Sequence, residues 1–198
     1  MGEVEAVVAA MDPTGEAETS LVRGLREGAA EAHAALYERF AAGLHRYAVT
    51  RLHGDAQTAE DLVVDALAAA ARDIRRFNPK RASFSAWVYG IARRRVLLEL
   101  RLQARQKSVP RSMQVPLTEA PGGADAAARA AERLEARRQV EALFGALSEA
   151  EMEVLILASV RELSVREIAR IVDRSEPAVH SLLHRARQKA RERLERDG

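Results

Sequence analysis

The residues best equipped to meet another molecule by hydrogen bonding fall close together near the C-terminus: His180, Ser181, His184, Arg185 and Gln188. Spacings of three and four place them on one side of a helix, opposite an apolar stripe of Val179, Leu182, Leu183 and Ala186. A guanidinium such as that of Arg185 bridges guanine bidentately, and Ser181 and His184 can donate to base edges. His180 and His184 also stand at the i, i+4 spacing of a zinc pair. No acid shares that turn and no third ligand accompanies them, so the chemistry read here is nucleic-acid contact and no metal is assigned. A second group lies upstream in the basic loop Arg75-Arg76-Phe77-Asn78-Pro79-Lys80-Arg81-Ala82. Unstacked bases are held by aromatic faces and cationic grooves, and this loop carries both; Phe77 either offers such a face or packs beneath the loop. Arg93, Arg94, Arg95, Arg101 and Arg105 follow on the outer face of the next helix, suited to phosphate contact that gives affinity and salt dependence but little sequence information. No nucleotide-binding or catalytic constellation occurs, so neither an enzyme activity nor a cofactor is expected.

Helices must position these groups. Ser164 and Glu167 form a capping box ahead of Val165, Ile168, Ala169 and Val172 at helical spacing. The break Asp173-Arg174-Ser175 follows, with Ser175 a second N-cap and Pro177 in a first turn whose amides are unpaired anyway. Two helices and a tight turn make a helix-turn-helix, which presents its second helix to a major groove. Ser148 and Glu151 form another capping box before Met152, Leu155, Ile156 and Val160. Further upstream, Leu21, Val22 and Leu25 begin a short helix that Gly28 breaks. Leu36, Phe40, Leu44, Tyr47, Ala48 and Leu52 mark a long amphipathic helix that Gly54 ends. Asp55 or Thr58 caps the next helix, whose Leu62, Val63, Ala66, Leu67, Ala70 and Ile74 face inward until Phe77-Asn78-Pro79 stops it. Ser83 then caps a helix with Phe84, Trp87, Val88, Ile91, Leu98 and Leu102 on its inner face.

No strand alternation appears. The expected fold is all-α: two small helical domains joined by a flexible linker, the C-terminal one a helix-turn-helix. Residues 1–17 read as a flexible tail, 18–106 as the first domain and 107–127 as the linker, which holds Pro110, Pro116, Pro121, Gly122 and Gly123. Residues 128–198 read as the second domain, with helical signals resuming near Ala126 and running through Leu134, Val140, Leu143 and Phe144.

Composition narrows the setting. The 198 residues have a net charge of +2, but the charge is segregated. Residues 1–65 hold 5 basic against 12 acidic side chains, and residues 66–115 hold 12 against 2. Residues 116–160 hold 4 against 8, and residues 161–198 hold 10 against 7. Such alternation suits a chain that faces a polyanion with some surfaces and a protein with others. The absence of cysteine excludes disulfides and thiolate zinc, and fits a cytoplasmic setting. No apolar run approaches the roughly 18 residues of a membrane span, and the first residues lack a secretory pattern, so no membrane insertion is expected.

Three stretches resemble a known family: AEDLVVDAL (59–67), RRFNPKRASFSAWVYGIARRRVLLELR (75–101) and the C-terminal residues 147–194. In this order they are similar to a bacterial RNA polymerase sigma factor of the extracytoplasmic-function group of the sigma-70 family, over roughly residues 18–195. The resemblance implies core RNA polymerase, through its β and β′ subunits, promoter DNA and an anti-sigma factor as partners. It implies that Glu60, Asp61 and Asp65 meet the polymerase clamp. Arg76, Phe77, Asn78, Lys80, Arg81, Ser83, Arg93 and Arg94 would serve the −10 element. Arg174, Ser175, His180, Ser181, His184, Arg185 and Gln188 would serve the −35 element. The chain departs from the family pattern at Val64, where a glutamine is common, and at Pro177, His180 and Leu182 in the recognition helix. Two other readings compete: an autonomous helix-turn-helix regulator that binds duplex DNA without polymerase, and a sigma-like decoy that sequesters an anti-sigma protein.

Overall fold

Helix starts in this chain are written locally, and the computed structural model places them where their caps stand. It describes residues 13–106, 145–160 and 163–197. The expected linker and the helical signals between Ala126 and Phe144 lie outside the described residues. Among those described there are seven α-helices and no strand: α1 Pro13–Glu27, α2 Ala30–Arg51, α3 Ala56–Arg72, α4 Phe84–Gln106, α5 Glu149–Ala158, α6 Val165–Val172 and α7 Glu176–Asp197. None is long and apolar enough to cross a membrane.

Both capping boxes form. The Ser148 amide donates to Glu151 Oε2 (2.9 Å) and the Glu151 amide to Ser148 Oγ (3.3 Å) at the start of α5. Ser164 and Glu167 repeat the arrangement at α6, at 2.9 and 3.3 Å. Asp55 caps α3, accepting from the Thr58 amide at 3.1 Å. Glycine meets a conformational need at the other end of α2, where His53 (φ 54°) and Gly54 (φ 93°) turn left-handed and the Gly54 amide bonds back to Val49 O.

Three sequence expectations are corrected. The tail expected over residues 1–17 is already helical from Pro13; a proline suits the first helical position because its missing N–H has no partner there. Helix α3 does not reach Phe77. It ends at Arg72 and tightens into a 3₁₀ turn, Ile74–Arg76, closed by the Arg76 amide on Asp73 O at 2.8 Å. The tighter turn keeps Ile74 in the core beneath α1. On α4, Leu98 and Leu102 share the phase of the buried stripe yet are 56% and 43% exposed. Periodicity selects a face, but burial needs a neighbour, and none of the described elements covers those turns.

The first half is built on α2, which packs against α1, α3 and α4. Phe40 and Phe84 meet edge to face (centroids 5.7 Å apart, 77°), as do Tyr47 and Tyr89 (6.2 Å, 80°), the arrangement favoured by the ring quadrupole. The second half packs α5 and α6 against α7. Its core of Val154, Leu157, Ile168, Val179, Leu183 and Ala186 includes the stripe read from the α7 sequence. The halves also touch, α2 against α5 and α4 against α6, and one buried cluster runs through both.

Candidate nucleic-acid interface

The loop between α3 and α4 is shaped mainly by Asn78. Its Oδ1 accepts from the Lys80 amide (2.9 Å) and its carbonyl from the Arg81 amide (3.0 Å), the turn an asparagine favours. Ser83 then caps α4, its Oγ accepting from the Ala86 amide at 3.2 Å. This brings Arg76, Asn78, Lys80 and Arg81 to an exposed edge beside half-buried Ser83. Phe77 does not join them. It is only 5% exposed and packs against Phe84 and Trp87, with centroids 5.3 and 5.5 Å away. Its ring supports the loop from below and has no face left for a base. Trp87 is half-buried in the same cluster.

Two residues that sequence reading missed clamp this loop from α1. Arg26 Nη2 donates to Phe77 O (3.2 Å) and the Phe84 amide donates to Glu18 Oε1 (2.8 Å). They lie 51 and 66 positions from their partners, beyond any local signal. The arginines of α4 divide. Arg94 is exposed, whereas Arg93 turns inward to a two-pronged contact with Glu153, Nε to Oε1 at 3.0 Å and Nη2 to Oε2 at 3.3 Å. The expectation that Arg93 shares the solvent-facing side with Arg94 is therefore corrected; a buried carboxylate on α5 draws it in.

Helix α6 ends without glycine. Asp173 itself takes the left-handed conformation (φ 56°, ψ 55°), a strain that Asp tolerates better than most residues, and the Arg174 amide returns to Ala169 O at 2.9 Å. Ser175 starts α7, its carbonyl accepting from Val179 N (3.1 Å) and its hydroxyl lying 3.4 Å from Ala178 N. With Val179, Leu182, Leu183 and Ala186 buried, His180, Ser181, His184, Arg185 and Gln188 are all exposed. They line one open groove along α7, with Arg187 and Arg191 beside them. Three of them already have partners within the chain. Ser181 Oγ donates to Pro177 O (3.0 Å), Gln188 Nε2 to Glu192 Oε1 (3.0 Å), and Arg185 Nε to Glu151 Oε1 (3.2 Å). Arg174 and Ser175 are exposed at the entrance to the helix. Among the described residues no group of three His, Asp or Glu is arranged to hold a metal ion.

Glu151 orders this surface from beneath. Its buried carboxylate accepts Lys189 Nζ at 2.7 Å as well as Arg185. The Lys189 bond, followed by those from Ser148 and Arg185, holds its pKa down to about 2. The sequence identified Glu151 only as a cap.

A third surface lies on α3. Glu60, Asp61, Val64 and Asp65 are exposed together, opposite buried Ala59, Val63, Ala66, Leu67 and Ala70. Val64 is 58% exposed among the three acids, an apolar contact point inside an anionic face.

Two helical units, the first with a polar loop and an acidic face and the second a helix-turn-helix, define a class of DNA-directed regulator. The comparison with known families places the chain within it. Sigma-70 region 2 matches residues 36–106 and Sigma-70 region 4 matches residues 137–189. The chain belongs to the sigma-70 family. It is similar to the ECF RNA polymerase sigma factor BldN of Streptomyces coelicolor, 29% identical over 171 residues. That alignment covers 84% of this chain and 61% of the relative, so the chain spans less than two thirds of that protein. Its fold is similar to that of CnrH, solved in complex with the cytosolic domain of CnrY. The TM-score is 0.65 at 24% identity, over 92% of this chain and 99% of that one.

Proposed function

We propose that this protein is a promoter-specificity subunit that acts by binding to core RNA polymerase. Glu60, Asp61 and Asp65, with Val64 between them, form the face that docks on the polymerase clamp. Asn78, Lys80, Arg81 and Ser83 receive unstacked −10 bases, with Arg76 and Arg94 on flanking phosphates. His180, Ser181, His184, Arg185 and Gln188 read the −35 major groove, with Arg174 and Ser175 at the phosphates beside it. The observation that carries this reading is the order of the two sigma-70 regions on one chain, each with its polar surface exposed. Phosphate contacts supply affinity and base contacts supply specificity. Among the seven −35 candidates Arg174 and Arg185 are the cations, with Arg187 and Arg191 beside them, and tethering to polymerase supplies further affinity.

The test is transcription with purified core enzyme on a genomic promoter library. Transcripts that require this protein are expected; none above core enzyme alone would overturn the reading. An autonomous regulator would instead shift duplex DNA without polymerase. The similar structure, CnrH, is bound to the cytosolic domain of CnrY, and an anti-sigma protein is accordingly proposed as a third partner here. A decoy would bind that partner while failing to bind core polymerase.

A further inference from the structure

The cap at the start of α5 carries more charge than capping requires. A capping box works with glutamine as well as with glutamate, because the N-cap amide needs only an acceptor. Glu151 is nevertheless an acid, and it is buried. A carboxylate out of water is costly unless it is paired and hydrogen-bonded, and its pairs come from α7. Oε1 accepts Arg185 Nε at 3.2 Å, while Oε2 accepts Lys189 Nζ at 2.7 Å and the Ser148 amide at 2.9 Å. With its pKa held at about 2, first by the Lys189 bond, the group stays ionised at neutral pH. The box also fixes the acid itself, since the Glu151 amide donates back to Ser148 Oγ at 3.3 Å.

The two cations are left with different things to offer. Lys189 turns its one charged nitrogen to the acid. Arg185 engages it through Nε, so the planar fork of Nη1 and Nη2 is oriented by the bond and not consumed by it. The side chain is exposed and lines the open groove along α7. A guanidinium fork bridges guanine O6 and N7, and fixing its plane in advance lowers the ordering cost of that contact. Ser181 and Gln188, on the same face, bond to Pro177 O and Glu192 within α7 itself. Arg185 is set from a different helix.

We propose that Glu151 is a positioning residue for promoter reading: by holding Arg185 Nε it aims the Arg185 fork at one guanine of the −35 element, and so sets base preference without touching DNA. The inference rests on the promoter-subunit reading, which places Arg185 at that groove. It carries a consequence that a purely structural cap does not. The Glu151 charge beneath the helix repels phosphate, so its removal does not weaken general attraction to DNA, while the freed fork loses its aim. Base preference falls at one position and binding as a whole does not.

The experiment is transcription by core enzyme with the full-length protein, on one promoter from the genomic library whose −35 element is randomised and barcoded in the transcribed region. E151Q keeps an acceptor for the Ser148 amide but turns an N–H donor toward Arg185 and Lys189, so it spares the cap and breaks the anchor. R185A should abolish a guanine preference at one base pair, and E151Q should lower that same preference by about fivefold or more. Preferences at the other −35 positions should stay within about twofold, and E151Q/R185A should match R185A alone, since the acid acts through the arginine. A loss spread equally over every −35 position, or a further loss in the double variant, shows a structural role and overturns the inference. R185K, at an exposed site, keeps the charge without the fork; a guanine preference that survives it overturns the inference even where E151Q does not fold. No transcript that requires the parent removes the promoter reading and the inference with it. Parental transcripts whose guanine preference ignores E151Q remove the inference alone.

Discussion

The −10 loop of the first half and the recognition helix of the second are both proposed to meet DNA, but they are built in opposite ways. The loop is held by residues distant in sequence: Arg26 and Glu18 from α1, Glu167 and Arg170 from α6. The start of the recognition helix is held by its neighbours, through the capping box at Ser164, the left-handed Asp173 and the N-cap at Ser175, while Glu151 fixes Arg185 and Lys189 further along. A locally held reading surface keeps its shape when contacts elsewhere are lost. One held at a distance changes with the arrangement of the whole molecule.

The largest effect is expected at Phe84, fully buried beneath the loop against Phe40, Phe77 and Trp87. Phe84→Ala should cost about 4 kcal/mol, measured by chemical denaturation. The only tryptophan of the chain is Trp87, so its emission should shift to the red in the folded variant as the loop loosens. Unchanged emission would show that the loop does not depend on this packing.

Gly43→Ala comes next. A Cβ there would stand 2.4 Å from Tyr89 Oη, and Tyr89 is buried against Tyr47, so the ring must move. A loss of about 2 to 3 kcal/mol is expected from overpacking, with the bond from Tyr47 Oη to Glu153 Oε1 disturbed as well. A denaturation midpoint equal to that of the parent would contradict it.

In the second half, Glu151→Ala should cost about 2 kcal/mol, combining a lost cap with two ion pairs to partly exposed cations. The pH dependence has a definite sign. The Glu151 carboxyl lies at about 2 in the folded chain against an ordinary 4.5, so its contribution is complete above about pH 4.5 and is lost as pH falls toward 2. Thermal melts of Glu151→Gln should therefore converge on the parent at low pH; a constant gap from pH 6 to pH 2 would count against it. The smallest effect belongs to Ser164→Ala, about 1 kcal/mol for a lost N-cap. Trp87 emission should shift less than in Phe84→Ala, because Glu167 still accepts the amides of residue 164 and of Ser83; an equal shift would show that the loop depends on this cap.

Much of the second half was legible because its determinants lie within four residues of one another. Ser148 with Glu151, Ser164 with Glu167 and the stripe Val179, Leu182, Leu183 and Ala186 all fold as their spacing indicates. In the first half, spacing identified the α2 core and the Asp55 and Ser83 starts. It did not identify the early end of α3, the burial of Phe77 or the exposure of Leu98 and Leu102. Those outcomes turn on what packs alongside, which periodicity does not specify.

Sequence alone therefore determined the helices, their caps, the apolar faces and the resemblance that located the polar surfaces, since each is a matter of neighbouring residues at fixed intervals. Tertiary structure alone decided which cations stay available. Arg93 and Arg94 are adjacent and chemically identical, yet one is committed to Glu153 and the other is exposed. The reason is that an ion pair forms by proximity in space, and Glu153 lies 60 positions away along the chain.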